Sequence, residues 1–342
     1  MAVATATQSS GGKMTGITIA IATYNRAAEL AKTLAGLGAI DRPATIAAEV
    51  LVIDNRCTDD TAAVVAAAAR TMGLPLRLVR EHRQGLSHAR NCAVVAAKYD
   101  VIAFLDDDVD VDKNWLSAMA AAFADERYAA VGGRALLVFP VKRPAWLGDR
   151  DEASLTKVDL GDARRDAAAD ELYGLNLAIR RRWIGEVGGF RSDLGRVGAN
   201  LIGDEEYELL SRICAAGGKL LYEPAAVVGH RVGLQRLRRR WFWQRCFHGC
   251  RGAVRAMPEH EVHASELLHC AYRTLRIAGR AVALLGQARG EPLFHETVLL
   301  ANGLGRCVGL LGRLLGHSYG PDEVQPVDAR LAHAGEAGLS AQ

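Results

Sequence analysis

The chain has 342 residues, 50% of them hydrophobic, and a formal net charge of +3. That length and apolar content support one large α/β domain with additions, or two domains. The near-neutral charge argues against a general nucleic-acid binder, although residues 231–255 are locally basic. The 7 cysteines form no CxxC pair, a scatter that suits reduced thiols in a cytosolic protein. Residues 1–16 lack the apolar stretch of a signal peptide and read as a disordered tail. No window offers roughly 18 uninterrupted apolar residues, so no transmembrane helix is expected.

Taken in order, the apolar run 17–22 reads as a first strand. Thr23-Tyr24-Asn25-Arg26 follows, then a helix over 28–37. Residues 49–53 form a second strand that ends in Asp54 and Asn55. Asp59 and Thr61 then lead into an Ala-rich helix at 62–71. A third strand spans 76–79, and Gly85-Leu86-Ser87-His88-Ala89-Arg90-Asn91 opens a helix running to 98. The buried-strand pattern at 101–105 stops abruptly at Asp106, Asp107 and Asp108. This alternation predicts an α/β fold with a mostly parallel open sheet and helices on both faces.

Three adjacent carboxylates repel one another unless solvent, a metal or cationic partners offset them. At the end of a parallel strand they project into the crevice where open α/β sheets bind ligands. Hard oxygen ligands of this kind suit Mg²⁺ or Mn²⁺ bridging to a diphosphate. The plain alternative is a solvated acidic turn. There is no GxGxxG after the first strand and no GxxxxGK[ST], so dinucleotide and P-loop readings lose support.

In these motifs residues 17–250 resemble the family 2 glycosyltransferases. The matching pieces are Thr23-Tyr24-Asn25-Arg26, Val52-Ile53-Asp54-Asn55 with Asp59 and Thr61, the Gly85–Asn91 stretch, and Phe104-Leu105-Asp106-Asp107-Asp108. Each is weak alone, and their order and spacing make the set specific. The resemblance implies a Rossmann-like GT-A fold and an inverting, metal-dependent transfer from a nucleotide-diphospho-sugar, a UDP-sugar in this reading. It implies that Thr23, Asn25, Arg26, Asp54 and Asn55 contact the nucleotide, with Asp54 reading the base. Asp106, Asp107 and Asp108 would form the DxD element, and Arg90 would steady the diphosphate. Asp106, Asp108 and His230 would hold Mn²⁺ or Mg²⁺. A glycan or lipid-linked acceptor in cell-envelope synthesis completes the implied reaction.

Further along, 140–172 is polar and charged, either an insertion near the acceptor or a surface loop. Asn176, in a strand pattern over 172–180, is expected to face the sugar or acceptor. Gly203-Asp204-Glu205-Glu206 precedes the helical stripe of Leu209, Leu210 and Ile213, so Glu205 and Glu206 sit at a helix N-terminus. By register from Arg212, Glu206 falls on the family's general base, where aspartate is usual. Glu205 precedes it and Asp204 is the fallback. Strand 220–230 ends at His230. The basic, Trp-containing stretch 231–245 suits a membrane surface or the donor diphosphate. Residues 251–317 read as a helical extension and the chain from 318 to 342 as a disordered tail. Within 298–316, Asn302, Arg306 and Arg313 share one helical face, which leaves three outcomes: packing on the catalytic domain, pairing with another subunit, or a membrane interface. Localisation is expected to be cytoplasmic, with peripheral contact at the inner membrane face. The rival reading is a catalytically inactive scaffold subunit.

Overall fold

The computed structural model describes residues 15–198, 201–285 and 290–316. The tails expected at 1–16 and 318–342 lie outside the described residues, apart from Thr15 and Gly16. The order begins β1 (Ile17–Thr23), α1 (Ala27–Gly38), β2 (Ala48–Asp54), α2 (Thr61–Ala69), β3 (Leu76–Arg80), α3 (Leu86–Ala96) and β4 (Val101–Leu105). It continues β5 (Val109–Val111), α4 (Trp115–Ala122), β6 (Tyr128–Val138), β7 (Arg165–Asp166), β8 (Asn176–Arg180), α5 (Arg181–Val187), α6 (Glu205–Ala215) and β9 (Lys219–Arg231). Three long helices close the chain: α7 (Arg239–Ala256), α8 (Ala264–Leu285) and α9 (Gly290–Leu314).

The strands form one sheet ordered β3-β2-β1-β4-β8-β6-β9-β5, with β7 paired to β9. β3, β2, β1 and β4 are parallel neighbours, as the alternating pattern predicts. Beyond β4 the sheet is mixed: β8 runs antiparallel to β4 and β6, while β6 and β9 are parallel. A strand's side chains alternate between faces, so each buried strand feeds two cores. Ile17, Ile19, Ile21, Val50, Val52, Val101, Ala103 and Leu105 meet α1 and α4 through Leu30, Leu34, Leu37, Trp115 and Met119. Leu51, Ile53, Ile102 and Phe104 meet α3 and α6 on the other face through Ala93, Val94, Leu209, Leu210 and Ile213. Helices that pack so tightly on both faces leave the carboxyl edge of β1, β2 and β4 as the open crevice.

The expected domain boundary at 250/251 falls inside α7, which runs unbroken to Ala256. α7 carries the C-terminal helices: a Cβ added at Gly305 would lie 2.1 Å from the Phe247 carbonyl oxygen, and one at Gly309 3.0 Å from Val254. Glycine at both positions allows close helix contact. Of the three outcomes left open for 298–316, the structure shows packing within the chain, and part of the polar face is turned toward α7. Arg313 donates to the Met257 and Val254 carbonyls at the end of α7, and Asn302 accepts from Cys250. Carbonyls at a helix C-terminus are short of helical partners, which is why a guanidinium settles there. Residues 140–172 are neither purely loop nor purely insertion: Leu147 and Leu155 are buried with Phe242 and Phe294. No described helix is long and apolar enough to cross a membrane.

The glycine contacts yield a paired test. Gly305→Ala is expected to destabilise by about 1–3 kcal/mol through overpacking against backbone. Gly279→Ala, where nothing lies within 4 Å, is expected to stabilise by about 0.5–1 kcal/mol through helix propensity. Urea denaturation of both variants measures the contrast.

Candidate active site

A cavity of about 560 Å³ opens at the carboxyl edge of the parallel strands. Of the residues singled out in the sequence, it is lined by Thr23, Arg26, Asn55, Arg90, Asp106, Asp107, Glu205 and Glu206. Asp54, Asn25, Asp108, His230 and Asn176 are not in its wall.

The acid triplet is divided by its surroundings. Asp107 accepts from the Thr23 hydroxyl at 2.7 Å and pairs with Arg26 at 3.2 Å. Burial pushes its carboxyl up to about 7, with Arg26 opposing and Asp108 adding to the rise. Asp108 lies deeper. Burial opposes its charge, but Arg236 and Arg26 outweigh that and hold its carboxyl well below the usual carboxylate range. Arg26 Nη2 is 2.9 Å and Arg236 Nη2 3.3 Å from Asp108 Oδ2.

His230 Nδ1 faces the Leu155 carbonyl at 2.8 Å, which can only accept, so Nδ1 donates. Nε2 then accepts from Arg236 Nη1 at 2.8 Å and lies 3.5 Å from Asp108 Oδ2. A carboxylate beside an imidazole with its other nitrogen fixed by a carbonyl is a familiar ligand pair for a divalent cation. Asp108 Oδ1, buried without a hydrogen-bond partner, fits the same role. The expected third ligand is not drawn in: among the described residues no three His, Cys, Asp or Glu groups converge as a shell. Asp106 faces the cavity instead. Asp108 and His230 therefore lie side by side behind the cavity wall, with Arg236 bonded to both.

The opposite wall is built by the first turn of α6. Arg90 on α3 is buried and reaches Glu205 at 2.7 Å and Glu206 at 3.6 Å. The rings of Phe104 and Phe190 lie 5.9 and 5.5 Å from its guanidinium. Arg90 is thus the counter-ion of the glutamate pair, and it also lines the cavity. Burial and the adjacent Glu206 push Glu205 up to about 8, against the pull of Arg90. Burial also opposes the charge of Glu206, yet Arg90 and the backbone amides of Glu206 and Gly174 bring its carboxyl below the ordinary value. The pair thus faces the cavity with Arg90 as its one ion-pair partner among the described residues. Asp204, at φ 72° before the helix, is pushed up to about 6 by burial and then by Glu206, with Arg245 opposing.

Other expectations shift. Asn176 is a packing node: its amide donates to the Arg134 and Ala226 carbonyls, and its oxygen accepts from the Trp115 indole. With both amide protons and the oxygen engaged, it has little left to offer a sugar. Asp54 is engaged by the Cys57 amide at 2.6 Å and Arg80 at 3.1 Å. Asn25 accepts from the amide and hydroxyl of Thr58 and holds the loop after β1. Three cavity cations were less legible. Arg236 and Arg245 came from the basic stretch as a whole, and Arg196 carried no sequence signal. Burial, then Arg236 and Arg245, push the Arg196 guanidinium down from its usual value.

The pattern described as "Glycosyl transferase family 2" matches residues 18–188. The chain belongs to that family. It is 29% identical over 245 residues to the succinoglycan biosynthesis protein ExoM of Rhizobium meliloti (strain 1021), covering 71% of this chain and 75% of that one. It is 29% identical over 172 residues to the pre-mycofactocin glycosyltransferase of Mycobacterium tuberculosis, covering 49% of this chain and 34% of that one. Among solved structures, the mannosyltransferase PcManGT of Pyrobaculum calidifontis, in complex with GDP-Man and Mn²⁺, superimposes with a TM-score of 0.52 at 22% identity. It covers 94% of this chain and 80% of that one. GalNAc-T7 with UDP, GalNAc and Mn²⁺ gives 0.53 at 20% identity, over 70% of this chain and 47% of that one. These likenesses establish the GT-A fold that the family resemblance implied.

Asp204 gives a pH-dependent stability test. The native state keeps its proton to about pH 6, while the unfolded chain releases it near 3.8. Native protein therefore binds more protons between those values, and stability falls as pH rises through that window. Asp204→Asn cannot titrate, and asparagine tolerates the left-handed φ. Between about pH 4 and pH 7 the wild type is expected to lose on the order of 2 kcal/mol relative to the variant. Urea unfolding at both pH values measures it. Arg90→Leu, which strands the glutamate pair, is expected to cost about 3–5 kcal/mol in the same assay.

Proposed function

We propose that the protein is an inverting glycosyltransferase that moves a sugar from a nucleotide-diphospho-sugar, a UDP-sugar, to an acceptor hydroxyl in polysaccharide or glycolipid synthesis. One observation carries the reading: the Arg90-paired carboxylates Glu205 and Glu206 stand on one wall of the cavity, while Asp106, Asp107 and a ring of arginines line the rest. A base and a diphosphate seat in one crevice are what a single displacement needs.

In this reading the nucleoside lies against Thr23 and Asn55, beside Asp54. Arg26, Arg196 and Arg236 face the diphosphate, where guanidinium groups match phosphate oxygens. Asp108 and His230 would hold Mn²⁺ or Mg²⁺, which as a Lewis acid neutralises charge on the leaving diphosphate. Glu206 takes the proton of the acceptor hydroxyl as its oxygen attacks the anomeric carbon. The bond between that carbon and the phosphate oxygen breaks, its electron pair leaves with the nucleoside diphosphate, and the configuration inverts. Glu205, the protonated partner, keeps Glu206 in place without competing for the hydroxyl. ExoM, named for succinoglycan biosynthesis, supports a polysaccharide acceptor.

Calorimetric titration of UDP, GDP and dTDP, each with and without Mn²⁺, tests the donor site. UDP binding that requires Mn²⁺ in the wild type and is lost in Asp108→Ala is the expected result. Glu206→Gln should bind UDP within about twofold of wild type while turnover over an acceptor panel falls by about 10²-fold or more. Folded protein that binds no nucleotide would overturn the proposal.

A further inference from the structure

α8 is the outermost element of the C-terminal bundle and packs on α9. It buries Cys270, Thr274 and Ala281. The opposite side carries Leu268, Tyr272, Leu275 and Val282, exposed by 71, 60, 72 and 67%. Their spacings of four, three and seven residues place all four in one straight row. A soluble helix with one buried face normally keeps its other face polar, so such a row calls for an occupant.

The flank of that row decides which occupant. His269, Arg273, Arg276 and Arg280 lie together on one side of it, and all four are exposed. Arg280 is partnered by Glu296, whereas Arg276 lies over the Tyr272 ring at 5.9 Å. Among the described residues neither Arg273 nor Arg276 forms an ion pair. The other flank is small and uncharged: Ala264, Ala271 and Ala278. The single acidic residue of the helix, Glu266, is in its first turn near Arg306. An apolar row edged by unpaired guanidinium groups is the profile of a helix lying in the plane of an anionic lipid surface. A second copy would bring another basic row with no acidic row to meet it. α9 adds Leu304, Val308, Leu311 and Leu314, exposed on its C-terminal half.

We propose that α8 docks the protein on an anionic lipid surface, with Leu268, Tyr272, Leu275 and Val282 entering the headgroup boundary and Arg273 and Arg276 meeting lipid phosphates. This adds to the stretches expected at a membrane, 231–245 and 298–316, a helix the sequence patterns did not single out. The proposal stands independently of the donor chemistry.

Full-length protein is sedimented with vesicles of phosphatidylcholine alone and with vesicles containing about one third phosphatidylglycerol. Binding to the anionic vesicles, weakened by salt, is expected. Leu268→Ser combined with Leu275→Ser should weaken it by roughly tenfold or more. Arg273→Glu with Arg276→Glu should abolish the preference for phosphatidylglycerol; these exposed residues carry no fold contacts, so this variant remains folded if the first does not. Circular dichroism and thermal midpoints verify folding. Vesicle binding unchanged in both variants would overturn the proposal. So would an absence of vesicle binding together with a concentration-dependent dimer that the leucine variant abolishes, which would make the face a contact between copies.

Discussion

A single buried guanidinium ties the site together. Arg90 leaves α3, lies beside the packed rings of Phe104 and Phe190 and ends against Glu205 and Glu206 at the start of α6. Two carboxylates with this little water cannot both stay charged without a cation, and Arg90 supplies it. It also fixes its neighbours: a Cβ at Gly174 would lie 2.1 Å from its Nη2, so the chain entering β8 must pass Arg90 as bare backbone. The geometry of the base, the helix that carries it and the adjoining strand all answer to that one side chain.

The other wall solves the same problem with opposite emphasis. Asp107 and Asp108 are adjacent in sequence yet pushed in opposite directions, because Asp108 is encircled by Arg26, Arg236 and His230 while Asp107 has one cation and a hydroxyl. Charge is thus graded along three consecutive residues, with the outermost, Asp106, left facing the cavity. Arg236 touches both Asp108 and His230, so the positive charge expected of a cation at this seat is partly present in the protein itself.

Much of this was legible in the sequence wherever burial leaves a strong pattern. β1, β2 and β4 are runs buried on both faces, so their hydrophobicity is continuous and their ends are sharp. The carboxylates after β2 and β4 stand out for that reason, and the acidic first turn of α6 stands out against the stripe of Leu209, Leu210 and Ile213. The misreadings have physical causes. Asn176 is polar in a buried strand, which resembles function, but Trp115 and two carbonyls need it. The bond from Arg90 to Glu205 joins residues 115 positions apart, which no local pattern reveals. Arg196 lies in a loop between α5 and α6, without periodicity. In α9 the helical period was right and the facing was left open: Asn302 and Arg313 bind α7 and Leu310 is buried, while Leu304, Val308 and Leu311 are exposed. An amphipathic pattern fixes the faces of a helix but not which one its neighbours will choose.

α7 spans both regions. Its first half presents Arg245 to the cavity, and its second half seats Val254 against Gly309 of α9. Because a helix is stiff over this length, the terminal bundle acts as a splint for the catalytic wall. Cutting the chain back to the catalytic motif would bare the Val254 face of α7 and loosen the mounting of Arg245. The smallest piece able to keep the crevice in shape therefore extends well past the last residue that lines it.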